Sequence, residues 1–485
     1  MSISPSLAIV KHIWQEVLDL PIDSLSSVRV PGNGHGLPSS FKVGDLAQGS
    51  IALSALAAAT FYSLRSNDTR DAVPIVTVPR QHACAEFCSE RLYTLDGIPP
   101  KYIVSPVGGL HRTADGYVRI YDGFPHHRQA ALKILGLDVD GEEGFTREQI
   151  DAKLQGWKSE ELEAKGVEHG AVIAVLRNYD QWDALPCATA MQGSPIMIRK
   201  VAERPTTSAG ANGSKMDKKK CLRGIKVLEM SRVIAAPVAG KTLAVHGADV
   251  LWVTSPSLPA LPALDVDVGR GKRTAQLDLQ RAEDLETLKN LLVDADVFLL
   301  SYRPGSLAAR GLSAVELDAQ SKKGIICANL SAWGPDGPWK KNRGFDSIVQ
   351  TSSGMNVSEA EHFGQGSTPK PMPCQALDHA SGYFLAAGII AALYRRAVEG
   401  GSYQVEVSLA GTMRYLRSLG QYEDASGFDC PNYLKQEDVE SEFLETKDTA
   451  LGSLVAVSHA ASIDDVDIGW DIVPKPLGAD KAEWL

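Results

Sequence analysis

Nowhere in the 485 residues do two cysteines stand in C-x-x-C spacing, although there are seven: Cys84, Cys88, Cys187, Cys221, Cys327, Cys374 and Cys430. Their scatter and odd number argue against a disulfide framework or a structural zinc site and for a reducing compartment. Positive charge is also in short supply, with 49 Lys plus Arg against 59 Asp plus Glu and a formal net charge of −10. That balance speaks against non-specific nucleic-acid binding, but leaves room for a small anion held by a few local cations. No apolar run is long and uninterrupted enough to cross a bilayer, so no membrane role is expected. Met1 to Trp14 has no apolar core behind a basic region, unlike a signal peptide, and Ala482-Glu483-Trp484-Leu485 is not an S-K-L address; a cytoplasmic location is the expectation. What remains, at 44% hydrophobic and 22% charged residues, is the composition of a soluble globular protein with room for two or more domains.

The organising stretch is Ala376 to Arg396, a helical pattern apolar on nearly every side from Tyr383 to Leu393. Such a helix is normally buried all round. Asp378 stands at its entrance, where a carboxylate can accept hydrogen bonds from the free N–H groups of the first turn and is kept ionised by the helix dipole. An N-cap role and a nucleophile's role are both open to it. A similar stretch occurs earlier: Asp45, then Gly49, then an Ala-rich helix ending at Arg65, as Asp378 is followed by Gly382 and the helix ending at Arg396. Each is followed by a strand (Val73–Val78; Tyr403–Val407) and a helix (Gln81–Leu92; Leu409–Leu419), which suggests a duplicated helix–strand–helix unit.

Between these, residues 111–201 have an α+β texture. A turn at Asp115-Gly116 leads into a strand, helices follow near His126–Leu135 and Arg147–Ala164, and Ile196–Ile198 is strand-like. Residues 206–220 are small, polar and basic, and read as a linker. The expected division is therefore 1–205, a linker at 206–220, and 221–485.

From 221 to 330 strands and helices alternate, which indicates βαβ units and a parallel sheet. The strands are expected at 225–229, 249–253, 274–279, 296–300 and 324–330, with a helix starting at Pro237. The fold class is thus α/β: a Rossmann-like parallel-sheet domain plus a smaller α+β domain. The first βα turn, Ser231 to Gly240, lacks the glycines of G-x-G-x-x-G, so NAD or FAD is not expected there. Cations cluster at Arg270-Gly271-Lys272-Arg273, before the third strand, and at Arg303 and Arg310, after the fourth; a crevice with several cations suits a phosphorylated ligand.

The ordered set L-R-G-I-K-V-L-E-M-S-R-V-I-A-A-P (222–237), H-G-A-D-V-L-W-V (246–253), R-G-K-R-T-A-Q-L-D-L (270–279), A-D-V-F-L-L-S-Y-R-P-G (295–305), G-P-D-G-P (334–338) and R-G-F-D-S-I-V-Q-T-S-S-G (343–354), closed by the Asp378 helix, resembles the class III CoA-transferases. That group includes formyl-CoA and carnitine CoA-transferases and α-methylacyl-CoA racemases. Thr113–Ile120 is similar to a strand of the family's smaller domain, and Pro474–Gly478 to its closing segment. The resemblance implies that Asp378 is the catalytic aspartate, attacking an acyl-CoA thioester and passing through an aspartyl-CoA intermediate. It implies coenzyme A as co-substrate with no permanently bound cofactor and no metal, a carboxylic acid acceptor, and a homodimer. Val233 and Ala235 would lie against CoA, with Lys272, Ser301, Tyr302 and Arg310 near its nucleotide or pantetheine.

Departures are Thr254-Ser255-Pro256 where the family usually has an acidic then a basic residue, Ser301-Tyr302 for the common Asn-Phe, no shielding run of glycines, and second-half material ahead of the first half. Asp45 is then either a relic or a second aspartate of a composite site. Racemisation is the nearest rival; it needs opposed proton-transfer groups, and Phe345 stands where relatives place a histidine. His379 is expected to point elsewhere on the helix. A CoA-binding scaffold without turnover is the rival from another class.

Overall fold

A computed structural model of the chain describes residues 4–66, 72–102, 105–137, 144–191, 193–206, 220–364, 366 and 368–485. The expected linker, apart from its end residues Thr206 and Lys220, lies outside the described residues.

The expected α/β architecture is present. Its largest sheet runs Lys272–Gln276, Asp249–Thr254, Lys226–Met230, Val297–Leu300, Ile326–Ser331 and Ser402–Ser408, all parallel. Numbered along the chain, these six strands stand in the order 3-2-1-4-5-6, that of a doubly wound sheet. Strands covered on both faces need no alternation, and Asp249–Thr254 is an almost continuous buried run. One more strand, Ile196–Ala202, adds antiparallel to Ser402–Ser408 at the edge.

Two boundaries differ from expectation with consequences. The third strand begins at Lys272 rather than Thr274, so two residues of the basic run are sheet rather than loop. The helix after the first strand begins at Ala235, which makes Pro237 its third residue, still in the first turn, where a missing N–H costs no helical bond.

The helix Ala376–Glu399 is buried at every residue from Ala376 to Leu393. By length and composition it is the one described helix apolar enough to cross a membrane, but protein encloses it on every side. It packs between the helix Val43–Arg65, the helix Ala235–Val245 and the strands Ile326–Ser331 and Ser402–Ser408. Gly382 permits the second contact: a Cβ there would lie 2.6 Å from the Ala235 carbonyl oxygen and 2.7 Å from Val238. Gly49 of the Val43–Arg65 helix serves alike, its missing Cβ leaving only 3.0 Å to Ile9. The D-x-x-x-G likeness therefore marks two helices whose second turns are closely packed against a neighbour.

A single apolar core contains Trp14, Phe41, Leu56 and Phe87 together with Val238, Phe384, Tyr403 and Trp470, so the segments before and after the linker fold as one body. A smaller α+β unit has its own core, around Val118, Leu132, Ile150 and Leu162. Its sheet pairs Gly109–Arg112 with Tyr117–Ile120 and the latter with Ile173–Val175. The helices Pro125–Ile134, Arg147–Leu154 and Ser159–His169 complete it.

Candidate active site

The loops after the first and fourth parallel strands diverge where the strand order reverses, which is where an open α/β sheet leaves a crevice. A cavity of about 320 Å³ lies there. Val233, Ala235, Ser301, Tyr302 and Asp378 all line it. The small domain adds Phe124, His126 and His127 as a further wall.

Asp378 is the third residue of its helix and 6% exposed. This corrects the expectation of an N-cap: Gln375 is the cap residue, and its side chain makes no capping bond. The capping is done from 32 residues away. One oxygen of the Asp346 carboxylate accepts from the backbone N–H of Leu377 at 2.8 Å and of Asp378 at 3.1 Å, and the other accepts from the Gln350 amide. Among the described residues no donor lies within hydrogen-bond distance of the Asp378 carboxylate itself.

The electrostatics reverse a second expectation. Burial, then the Asp346 carboxylate, then that of Glu90, raise the Asp378 pKa well above the usual carboxylate range. A helix N-terminus offers a carboxylate at most about 2 kcal/mol, and here desolvation and two like charges outweigh it. Burial similarly pushes Asp346 up to about 6. Glu90 belongs to the first hundred residues and binds Nε2 of His379 at 3.0 Å, so His379 faces that carboxylate and is not among the cavity walls.

The same cavity also carries positive charge. Arg232, Arg303, Lys340 and Arg343 line the cavity, and none forms an ion pair with a described carboxylate. Arg232 lies over the Phe124 ring at 4.1 Å. Burial first, with His126, Arg343, Arg232 and Arg303 adding to it, lowers His127 to about 3, and burial and two arginines lower His126. Both imidazoles are neutral near pH 7. Phe345 stacks on Tyr121 at 3.5 Å, joining the small domain to the Asp346 turn.

The first βα turn carries strain. Val233 has φ +72°, a left-handed backbone that a β-branched residue rarely adopts. The turn delivers the helix Ala235–Val245 with its N-terminus at the cavity and no side chain capping it. Uncapped first-turn N–H groups form an anion-binding end. Ser301 Oγ accepts from the Arg232 N–H at 3.3 Å, tying the two loops together.

Two residues expected near CoA do not line the cavity. Lys272, drawn into its strand, is fully buried, with Nζ 2.8 Å from both Glu229 Oε1 and the Pro237 carbonyl. Arg270 and Arg273 pair with Asp267 and Asp249, so the basic run is spent on the fold at the amino ends of the strands. Arg310 donates to the Leu279 carbonyl and does not line the cavity. Asp45 is likewise engaged. It takes the same third helical position as Asp378, behind a cap residue of nearly the same backbone (Lys42 φ −77°, ψ 52°; Gln375 φ −78°, ψ 61°). But it pairs with Arg80 and accepts from Ser6 at 3.1 Å and Tyr422 at 3.2 Å.

Asp346, Glu90, His126, His127 and Arg343 were not singled out from sequence as site residues. Asp346 alone carried a local hint, in the G-F-D segment.

The model of CoA-transferase family III matches residues 222–462. An acyl-CoA transferase of Gibberella moniliformis is 30% identical over 313 residues, 62% of this chain and 54% of that protein. An acetyl-coenzyme A transferase of Hypoxylon pulicicidum is 27% identical over 343 residues, 67% and 56% respectively. The chain thus spans little more than half the length of these relatives. The crystal structure of a hypothetical protein of Mycobacterium tuberculosis aligns over 41% of this chain and 57% of that one, at 30% identity and a TM-score of 0.38.

Proposed function

We propose that this chain, a member of CoA-transferase family III through residues 222–462, moves coenzyme A from an acyl-CoA donor to a carboxylic acid, with Asp378 as nucleophile. The observation that carries the reading is the Asp378 carboxylate in the wall of a cavity, with no hydrogen bond from a described residue, where four cations that have no described carboxylate partner also line the wall.

An Asp378 oxygen attacks the thioester carbonyl carbon; a C–O bond forms, the C–S bond breaks and CoA leaves as thiolate. The thiolate then attacks the aspartyl carbonyl of the resulting mixed anhydride, releasing the donor acid as carboxylate and leaving an aspartyl-CoA thioester. The acceptor carboxylate repeats the first step in reverse sense: it displaces thiolate to form a second anhydride. Thiolate attack on the acceptor's acyl carbon yields the new thioester and frees Asp378.

Each addition places negative charge on a carbonyl oxygen, and Ala235 and Ala236, at the uncapped helix start lining the cavity, would offer N–H groups to it. Arg232, Lys340 and Arg343 suit the phosphates of CoA. A desolvated carboxylate of raised pKa is also a more basic, stronger nucleophile once ionised.

The test is incorporation of isotopically labelled carboxylic acid into acyl-CoA across a panel of donors. Exchange supports transfer; CoA binding without exchange for any donor contradicts it and fits the scaffold. One observation favours a second reading, α-proton exchange: the neutral imidazoles of His126 and His127 in the same cavity. Tritium wash-out from an α-labelled acyl-CoA separates the two.

A further inference from the structure

Five residues that wall the Asp378 cavity also wall a second and larger one: Tyr302, Arg303, Pro304, Leu330 and Ser331. This neighbour measures about 550 Å³. It lies against the strands Val297–Leu300, Ile326–Ser331 and Ser402–Ser408, beneath the segment 303–315. Its floor is apolar where Phe298, Leu300 and Cys327 of the sheet meet Leu312 of the covering segment.

The polar groups at its far rim already have partners, in the rim or beside it. Arg199 Nε donates to Gln404 at 3.0 Å, Lys200 pairs with Glu203 at 2.6 Å, and Glu406 accepts from Asn329 at 3.3 Å. An apolar floor with a neutralised rim does not call for an anion; it suits an uncharged aliphatic chain. Of the unmatched cations, Arg232, Lys340 and Arg343 line the Asp378 cavity alone, where the phosphates of CoA would be, and Arg303 stands at the junction of the two cavities.

We propose that the 550 Å³ cavity receives the acyl chain of the substrate, so that the thioesters this chain favours are extended aliphatic acyl-CoAs rather than acetyl-CoA or short dicarboxylates. The inference rests on the reading that the thioester carbonyl lies at Asp378. Binding can be measured without turnover, which keeps the two claims separable.

The experiment is equilibrium binding of decanoyl-CoA and acetyl-CoA to the full chain, to Val315→Trp and to Leu300→Trp. Val315 stands at the rim and is 69% exposed, so its replacement leaves the core alone; Leu300→Trp fills the floor. The expected result is decanoyl-CoA bound about tenfold or more tighter than acetyl-CoA by the wild type. Val315→Trp removes most of that preference without weakening acetyl-CoA, and Leu300→Trp, if folded, does the same. Equal binding of the two thioesters by the wild type overturns the proposal, as does a preference undiminished in Val315→Trp. A protein that exchanges CoA from acetyl-CoA yet shows no chain-length preference loses this cavity and keeps Asp378. One that prefers decanoyl-CoA through Val315 but never exchanges loses the transferase reading alone. Failure to bind either thioester overturns both.

Discussion

Replacing Gly382 with alanine tests whether the close approach of two helices sets the active-site wall. The added Cβ would stand 2.6 Å from the Ala235 carbonyl oxygen and 2.7 Å from Cβ and Cγ1 of Val238, against 3.4 Å for ordinary van der Waals contact. The nearest obstacle is backbone, which no rotamer change relieves. Overpacking of this kind costs about 1–3 kcal/mol, while alanine in place of glycine returns roughly 1 kcal/mol of helix propensity. The net expectation is a loss of about 0–2 kcal/mol. The larger effect is on rate, because Ala235 begins the anion-binding helix end and lines the cavity with Asp378. A displacement near 1 Å there can cost about a hundredfold, and a fall of at least about tenfold in kcat/KM is expected. Gly388→Ala is the control: its Cβ would meet only the side-chain methyls Val405 Cγ1 at 2.7 Å and Ile196 Cγ2 at 3.0 Å, away from the cavity. It should lower the urea midpoint slightly and leave exchange unchanged. The reasoning is refuted if Gly382→Ala exchanges CoA at the wild-type rate, or if both variants lose activity equally.

Asp378→Asn should abolish CoA exchange, by about a thousandfold or more, and stabilise the fold. The native pKa of this acid lies above its unfolded value, so the wild type loses stability as pH rises through that interval, whereas asparagine has nothing to ionise. The gain in melting temperature should therefore be larger at pH 8 than at pH 5, and a gain independent of pH would contradict the assigned direction. Asp346→Asn keeps an oxygen for the Leu377 and Asp378 N–H groups but removes a charge that raises Asp378, so the acid limb of the kcat/KM profile should move to lower pH; an unmoved limb would show that the two carboxylates do not communicate. Asp45→Asn leaves Arg80 buried beside a neutral group and should cost about 3–5 kcal/mol in denaturant unfolding, with exchange per folded molecule unaltered. Lost activity in a folded Asp45→Asn protein would make Asp45 part of a composite site.

Local signals carried well where the physics is local. Alternating strands and helices between 221 and 330 were readable because each element has its own period and its own turn residues. The all-round apolar pattern after Asp378 foretold a helix enclosed on every side. Lys272 reads as loop because it stands in a run of Arg and Lys, and its burial is made tolerable by Glu229, 43 residues earlier, and the Pro237 carbonyl. Asp378 looked like a cap for the same kind of reason: the actual capping carboxylate, Asp346, comes from another helix. Nothing near His126 or His127 announces that the chain brings them to the Asp378 cavity, or near Glu90 that it meets His379. The pairing of Ile196–Ala202 with Ser402–Ser408 spans some two hundred residues and has no local mark.

The measurement that tests the central claim most directly is hydroxylamine trapping after incubation with an acyl-CoA, followed by peptide mass spectrometry. An aspartyl anhydride or thioester reacts with hydroxylamine to give a hydroxamate, and the account predicts that mass tag on the peptide containing Asp378 and none on that containing Asp45. A chain that exchanges CoA while the Asp378 peptide stays untagged would contradict it.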